Sequence, residues 1–223
     1  MILSYMHEKK MNTKIAHDLI QSWYGPANYS RKNPLTLIKT HTKHTTYFNK
    51  IPTLLLVRDP RNIVVSYYEG LRKHGHISLD LKINKFVEEF VTGIKYDQFG
   101  SWSSSIESYL ASNDAKSHLH IIKYEDLERN THQALEKVIS FLKLDVNEKG
   151  LVDSIQNSNR KNMRQDQEIN RKSIDRKNQA LPGFEKQLFT AKDSRNWSKF
   201  LSPKDSELIL EEFGDTMMKF QYA

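Results

Sequence analysis

Three short apolar runs interrupt an otherwise polar chain: Leu-Thr-Leu-Ile-Lys at 35–39, Thr-Leu-Leu-Leu-Val at 53–57 and Leu-His-Ile-Ile-Lys-Tyr at 119–124. Each is nearly continuous instead of alternating, the pattern of a strand covered on both faces. Elsewhere apolar residues recur at helical spacing. Leu135, Val138, Ile139 and Leu142 form one stripe, with Asn130 and Gln133 as a capping pair at its start. Ser202, Pro203 and Asp205 open another, whose stripe is Leu208, Ile209, Phe213 and Met217. Trp102 begins a further helix that carries Ile106, Tyr109 and Leu110. Strands alternating with helices predict an α/β chain with a mostly parallel sheet flanked by helices. The 223 residues fit one domain spanning 1–223. From about 157 to 192 the chain is rich in Asn, Gln, Arg and Lys with few apolar anchors, so a lid or a solvated loop is expected there.

Composition narrows the partners. A formal net charge of +7 favours an anionic ligand. The absence of cysteine removes disulfides, thiolate metal ligands and a cysteine nucleophile, and points to a reducing compartment, by default the cytoplasm. No apolar run approaches the ~18 residues of a membrane span, and the opening Met-Ile-Leu-Ser-Tyr-Met-His-Glu-Lys-Lys lacks the order of a secretion signal. No histidine and aspartate cluster has metal-ligand spacing, so no metal is expected. Specific nucleic-acid binding is not expected either, because Asp166, Glu168 and Asp175 interrupt the basic 157–192 segment and no aromatic stacking platform accompanies it.

The candidate chemistry sits where strands end. After 53–57 come Arg58, Asp59 and Pro60; Asp59 suits an N-cap and Pro60 a first helical turn, so a helix begins at the carboxyl edge of the strand. Free N–H groups at such an entrance, with the planar fork of Arg58, suit phosphate oxygens, and Ser66 lies about two turns further along. An equal alternative is that Arg58 pairs with a neighbouring carboxylate and Ser66 is a helix-surface serine. At the end of 35–39, Lys39 and His41 place a cation beside an imidazole able to take a proton near neutral pH.

Four segments in order, Ile-Lys-Thr-His-Thr-Lys-His, Leu-Leu-Leu-Val-Arg-Asp-Pro-Arg-Asn-Ile-Val-Val-Ser-Tyr-Tyr, Phe-Gly-Ser-Trp and Ile-Ile-Lys-Tyr-Glu-Asp-Leu, resemble the motifs of the sulfotransferases that use 3′-phosphoadenosine 5′-phosphosulfate (PAPS). The resemblance implies a P-loop-NTPase-like parallel sheet and transfer of a sulfuryl group from PAPS, as co-substrate, to a hydroxyl or amine of a small-molecule or glycan acceptor. Residue by residue it implies His41 as general base, Lys39 as the helper at the bridging oxygen, Arg58 and Ser66 as the 3′-phosphate clamp and Tyr124 as an adenine contact. Trp102 reads as core instead, and Tyr124 reads equally as adenine contact or protein packing. The acceptor region would draw on Tyr67, Tyr68, His74 and the 157–192 segment.

Two departures accompany the match. The family's Pro-Lys-Ser-Gly-x-Thr-Trp loop for the 5′-phosphosulfate has no counterpart, and the first ten residues resemble the helix that follows it. The expectation is a chain without the family's first, central strand and that loop, either because its start is misplaced or truncated or because the loop has been lost. Its sheet would be less protected and open to homo-oligomerisation, and it would be either an enzyme of doubtful competence or a non-catalytic nucleotide-binding remnant. Near the other end, Thr-Ala-Lys-Asp-Ser-Arg-Asn-Trp at 190–197 stands where the family has a Gly-rich contact to the 3′-phosphate; only Trp197 is in register, and without the glycines that allow a close backbone approach Lys192 and Arg195 are either substitutes by charge or part of a solvated basic loop, the reading the missing glycines favour.

Overall fold

The computed structural model describes residues 20–22, 37–73, 75–93, 100–112, 116–158, 162 and 196–223. The opening decapeptide, most of the 157–192 segment, His74, Lys192 and Arg195 lie outside the described residues. The chain divides into two compact units, one formed by 1–41 with 127–187, the other by 42–126 with 188–223.

In the first unit, β1 (Ile20–Ser22) pairs in parallel with β2 (Leu37–Lys39), Ile20 opposite Leu37 and Ser22 opposite Lys39. Strand β2 is the carboxyl half of the expected 35–39 run, and β1 was not foreseen. Helix α5 (Thr131–Phe141) is the helix predicted from Leu135 and Val138, both buried, and the Asn130 side chain accepts the Gln133 N–H at 3.2 Å. It stops where Lys143 takes a left-handed φ of 52° and the Leu144 N–H folds back onto the Ile139 carbonyl at 3.0 Å. Helix α6 (Glu148–Asn157) follows, capped by Asn147 and burying Leu151 and Ser154. His132 joins the two helices, its Nε2 2.8 Å from Glu148 and its Nδ1 3.5 Å from Glu136. These three side chains bring potential metal-ligand atoms within 4.8 Å, a cluster the sequence pattern had not suggested. The two carboxylates, however, face opposite ring nitrogens, the geometry of an imidazolium held by two anions. The Glu148 hydrogen bond, first, and both negative charges raise the His132 pKa.

The second unit holds a parallel pair, β3 (Thr53–Val57) and β4 (Leu119–Lys123), in register from Thr53 opposite Leu119 to Val57 opposite Lys123. Coverage on both faces, expected from the continuous apolar runs, is not what the structure has: Leu56 is 55% exposed, and Leu54 and Ile121 are also open, while Val57 is buried. The run reads as buried because continuity reports side-chain chemistry and not what lies over each face.

The core of this unit is helical. Helix α1 (Pro60–Lys73) contributes Val64, Val65 and Tyr68, and α2 (Ile83–Thr92) contributes Phe86, Val87 and Val91. From α7 (Pro203–Lys219) come Ile209, Phe213 and Met217. Trp102, the first residue of α3 (Trp102–Ala111), packs on this cluster with its ring 5.7 Å from that of Phe213, the core role read from its sequence position. Gly100, just ahead of α3, has φ of +97°, and a Cβ there would stand 2.5 Å from Lys43 Cε. A smaller cluster of Val57, Ile106 and Phe220 ties β3 to α3 and to the end of the chain. Among the described residues no helix is long and apolar enough to cross a membrane.

Candidate functional site

Two of the candidate residues meet at the turn from β3 into α1. Asp59 caps the helix as its sequence position predicts: its Oδ1 accepts the Arg61 N–H at 2.9 Å, and its carbonyl takes the N–H groups of Asn62 and Ile63, each at 3.0 Å. The same carboxylate grips the Arg61 guanidinium twice, Nη2 to Oδ2 at 2.7 Å and Nε to Oδ1 at 3.0 Å. Arg61 also stacks on the Trp197 ring at 4.3 Å, and the Trp197 N–H donates to Asn62 Oδ1 at 3.2 Å. The entrance carboxylate is therefore committed to Arg61.

Arg58 is placed differently. Its guanidinium lies 4.5 Å from the centre of the Tyr124 ring, and its Nε is buried with no hydrogen-bond partner among the described residues. A buried N–H without an acceptor is an expensive feature, and it stands beside a helix amino end with its partial positive charge. The arrangement supplies donors and positive potential together, the requirements for holding an anion. Ser66 is half-buried on α1, about 9 Å along the axis from Pro60 by the helical rise. Tyr124 does not end the strand, as the sequence reading had it, but opens α4 (Tyr124–Arg129). Of its two proposed roles, contact with protein is present through Arg58.

Glu125, the next residue, accepts the Asp59 N–H through Oε1 at 3.2 Å and the Tyr222 hydroxyl through Oε2 at 2.6 Å. Burial, then Glu125, push the Tyr222 phenol far above its ordinary pKa, so it stays a proton donor. Arg61, Glu125 and Tyr222 were missed by sequence reasoning. Arg61 and Glu125 lie inside motifs already singled out, whereas nothing local marks Tyr222.

The other two candidates belong to the first unit. Lys39 ends β2 and His41 follows two residues later, both with exposed side chains. Protein around the His41 ring, and secondarily the Lys39 ammonium, hold its pKa below the ordinary imidazole value. His41 is thus neutral at physiological pH, with a ring nitrogen able to accept a proton. Of the residues expected around an acceptor, Tyr68 is core, its hydroxyl donating to the Leu81 carbonyl at 2.5 Å, and Tyr67 is exposed against Phe86.

A parallel strand pair running into a helix whose entrance carries an arginine stacked on a tyrosine places this unit in the α/β class. Within that class the sulfotransferase domain family matches residues 3–221, and the chain belongs to it. It is 26% identical to Sulfotransferase 2A6 of Rattus norvegicus over 144 residues, covering 64% of this chain and 48% of the relative. It is likewise 26% identical to 3-alpha-hydroxysteroid sulfotransferase of Cavia porcellus over 126 residues, covering 56% of this chain and 42% of the relative. The chain thus spans about half the length of these curated relatives. Among solved structures it resembles mouse sulfotransferase SULT7A1 complexed with PAP (TM-score 0.57, 19% identity, 79% of this chain and 66% of that one), a likeness of fold.

Proposed function

We propose that this chain takes part in sulfuryl transfer from PAPS to a hydroxyl or amine of a small-molecule or glycan acceptor, acting as one sulfotransferase-like domain. The observation that carries the reading is the buried, unpartnered Arg58 Nε at the α1 entrance, with its guanidinium stacked on Tyr124. The family match and the PAP bound by the mouse structure's protein support a 3′-phosphorylated adenine nucleotide as the anion.

In this reading Arg58 and Ser66 hold the 3′-phosphate, and Tyr124 keeps the guanidinium flat for a two-point contact while offering its ring to the adenine. Lys192 and Arg195 add positive charge to the same phosphate. PAPS supplies an activated sulfuryl group; its sulfur gains a bond to the acceptor atom and loses the bond to the phosphate oxygen. His41 removes the acceptor's proton, for which its lowered pKa suits it, since the imidazole is already deprotonated at neutral pH. Lys39 steadies the negative charge on the departing oxygen. Positioning and charge stabilisation carry such transfers, with little covalent work for the protein.

Calorimetric titration with 3′-phosphoadenosine 5′-phosphate (PAP), and transfer of labelled sulfate from PAPS to a panel of phenols, alcohols and amines, test this reading. Binding that Arg58→Ala abolishes, with turnover that His41→Ala lowers about 10²- to 10⁴-fold, is expected. Turnover should rise with pH through an inflection below the ordinary imidazole value, because the base form is the active one. PAP binding without turnover would leave the nucleotide-binding remnant as the function, and no binding at all would overturn both.

A further inference from the structure

We propose that the carboxy-terminal tail belongs to the nucleotide site: Tyr222 is a positioning residue that, through Glu125, fixes the peptide that follows Arg58. The proposal rests on the nucleotide reading given above.

The tail is seated by contacts that concentrate on this one turn. Phe220 packs with Val57 and Ile106, and its carbonyl accepts from Lys123 Nζ at 2.5 Å. The Tyr222 carbonyl accepts from Arg61 Nη2 at 2.5 Å, while Lys123 Nζ stands 4.8 Å over the Tyr222 ring. The Tyr222 hydroxyl, so anchored, donates to Glu125 Oε2 and lies 3.5 Å from the Val57 carbonyl oxygen. The second oxygen of the same carboxylate receives the Asp59 N–H. The peptide that follows Arg58 is therefore held by the Glu125 carboxylate that the Tyr222 hydroxyl fixes, and the ring beneath the guanidinium belongs to the neighbouring residue, Tyr124.

This matters because two-point recognition of a phosphate by a guanidinium depends on orientation. With Nε lacking a protein acceptor, the side chain's aim is set by its backbone and by the Tyr124 face, and both are attached to residues 124 and 125. Removing the Tyr222 hydroxyl frees Glu125 to rotate and loosens the Asp59 peptide, though no atom of Tyr222 need touch the nucleotide.

The test is calorimetry of the full chain with PAP and with adenosine 5′-monophosphate, comparing Tyr222→Phe, Glu125→Gln and Ser202→Ala, with melting followed by circular dichroism. Tyr222→Phe is expected to weaken PAP binding about tenfold, the loss of one hydrogen bond to a charged group, while changing monophosphate binding far less. Glu125→Gln keeps an acceptor and should fall between wild type and Tyr222→Phe. Ser202→Ala lowers stability at the α7 entrance, whose capping bonds touch none of Arg58, Glu125 and Tyr222, and should leave PAP affinity unchanged, which separates positioning from a general loss of stability. PAP affinity of both Tyr222→Phe and Glu125→Gln within about twofold of wild type, with Arg58→Ala still abolishing binding, overturns the role of the tail alone. Unaltered binding in Arg58→Ala overturns the nucleotide reading itself.

Discussion

The entrances of α1 and α7 are made from the same parts, a proline in the first turn and a buried aspartate, 5% exposed at Asp59 and 7% at Asp205. At α7 every partner is local. Ser202 Oγ accepts the Asp205 N–H at 3.2 Å, and Asp205 Oδ2 takes the Ser202 N–H at 2.9 Å and its hydroxyl at 2.7 Å. Such a reciprocal cap satisfies itself and would work on any helix. At α1 the partners come from far along the chain: Glu125 on the Asp59 N–H, Trp197 under Arg61, and Tyr222 on both Arg61 and Glu125. After all these are counted, Arg58 still has a buried donor left over. A helix start that serves only stability closes on itself, whereas one that presents a charged group must be braced from outside.

Breaking each entrance should therefore have different consequences. The largest effect is expected for Asp59→Ala, which strands the Arg61 guanidinium, 12% exposed, without its carboxylate. Removing one partner of a buried pair typically costs about 3–5 kcal/mol, read as a lower midpoint in urea melts. Next, Arg58→Met should weaken PAP binding about 100-fold or more, through lost charge-assisted bonds, yet leave the thermal midpoint unchanged or raised, since it deletes an unsatisfied buried donor. A large loss of stability with unchanged affinity would place Arg58 among the structural residues and end the contrast. Ser202→Ala should cost about 1 kcal/mol, the usual worth of an N-cap, with PAP affinity intact.

The smallest effect concerns the body of α7, where Glu107 of α3 accepts from Lys219 at 2.6 Å and from Thr216 at 2.8 Å. The Lys219 hydrogen bond, first, and that of Thr216 lower the Glu107 pKa against opposing burial. A depressed carboxyl stabilises the fold above its unfolded-state pKa, and that contribution disappears as pH falls through the folded value. Glu107→Gln should flatten this acid limb and cost about 0.5 kcal/mol or less at neutral pH, because the pair is partly exposed.

Much of the local structure was legible in the sequence. The 53–57 strand, the Asp59 and Pro60 helix start, the Asn130 and Gln133 cap and the Ser202 capping box follow from side-chain chemistry within a few residues. Lys39, His41 and Arg58 were legible as candidates because each stands at or just after the end of a strand. Tyr124 was legible as a residue but not as the support of Arg58, since a pairing across 66 positions leaves no trace in local pattern. Tyr222 was invisible for the same reason. The open faces of Leu54 and Leu56 were misread because an apolar run tells which side chains would accept cover, not whether cover is supplied.

Gly100 carries one more implication. Its φ is a conformation that costs a residue with a side chain roughly 1–3 kcal/mol, so Gly100→Ala ought to be severe on backbone grounds. The added methyl would also evict the Lys43 alkyl chain, whose ammonium nitrogen lies only 3.2 Å from that point, at the amino end of α3 where positive charge is unwelcome. The one substitution therefore acts twice, through the torsion of its own backbone and through the displacement of Lys43.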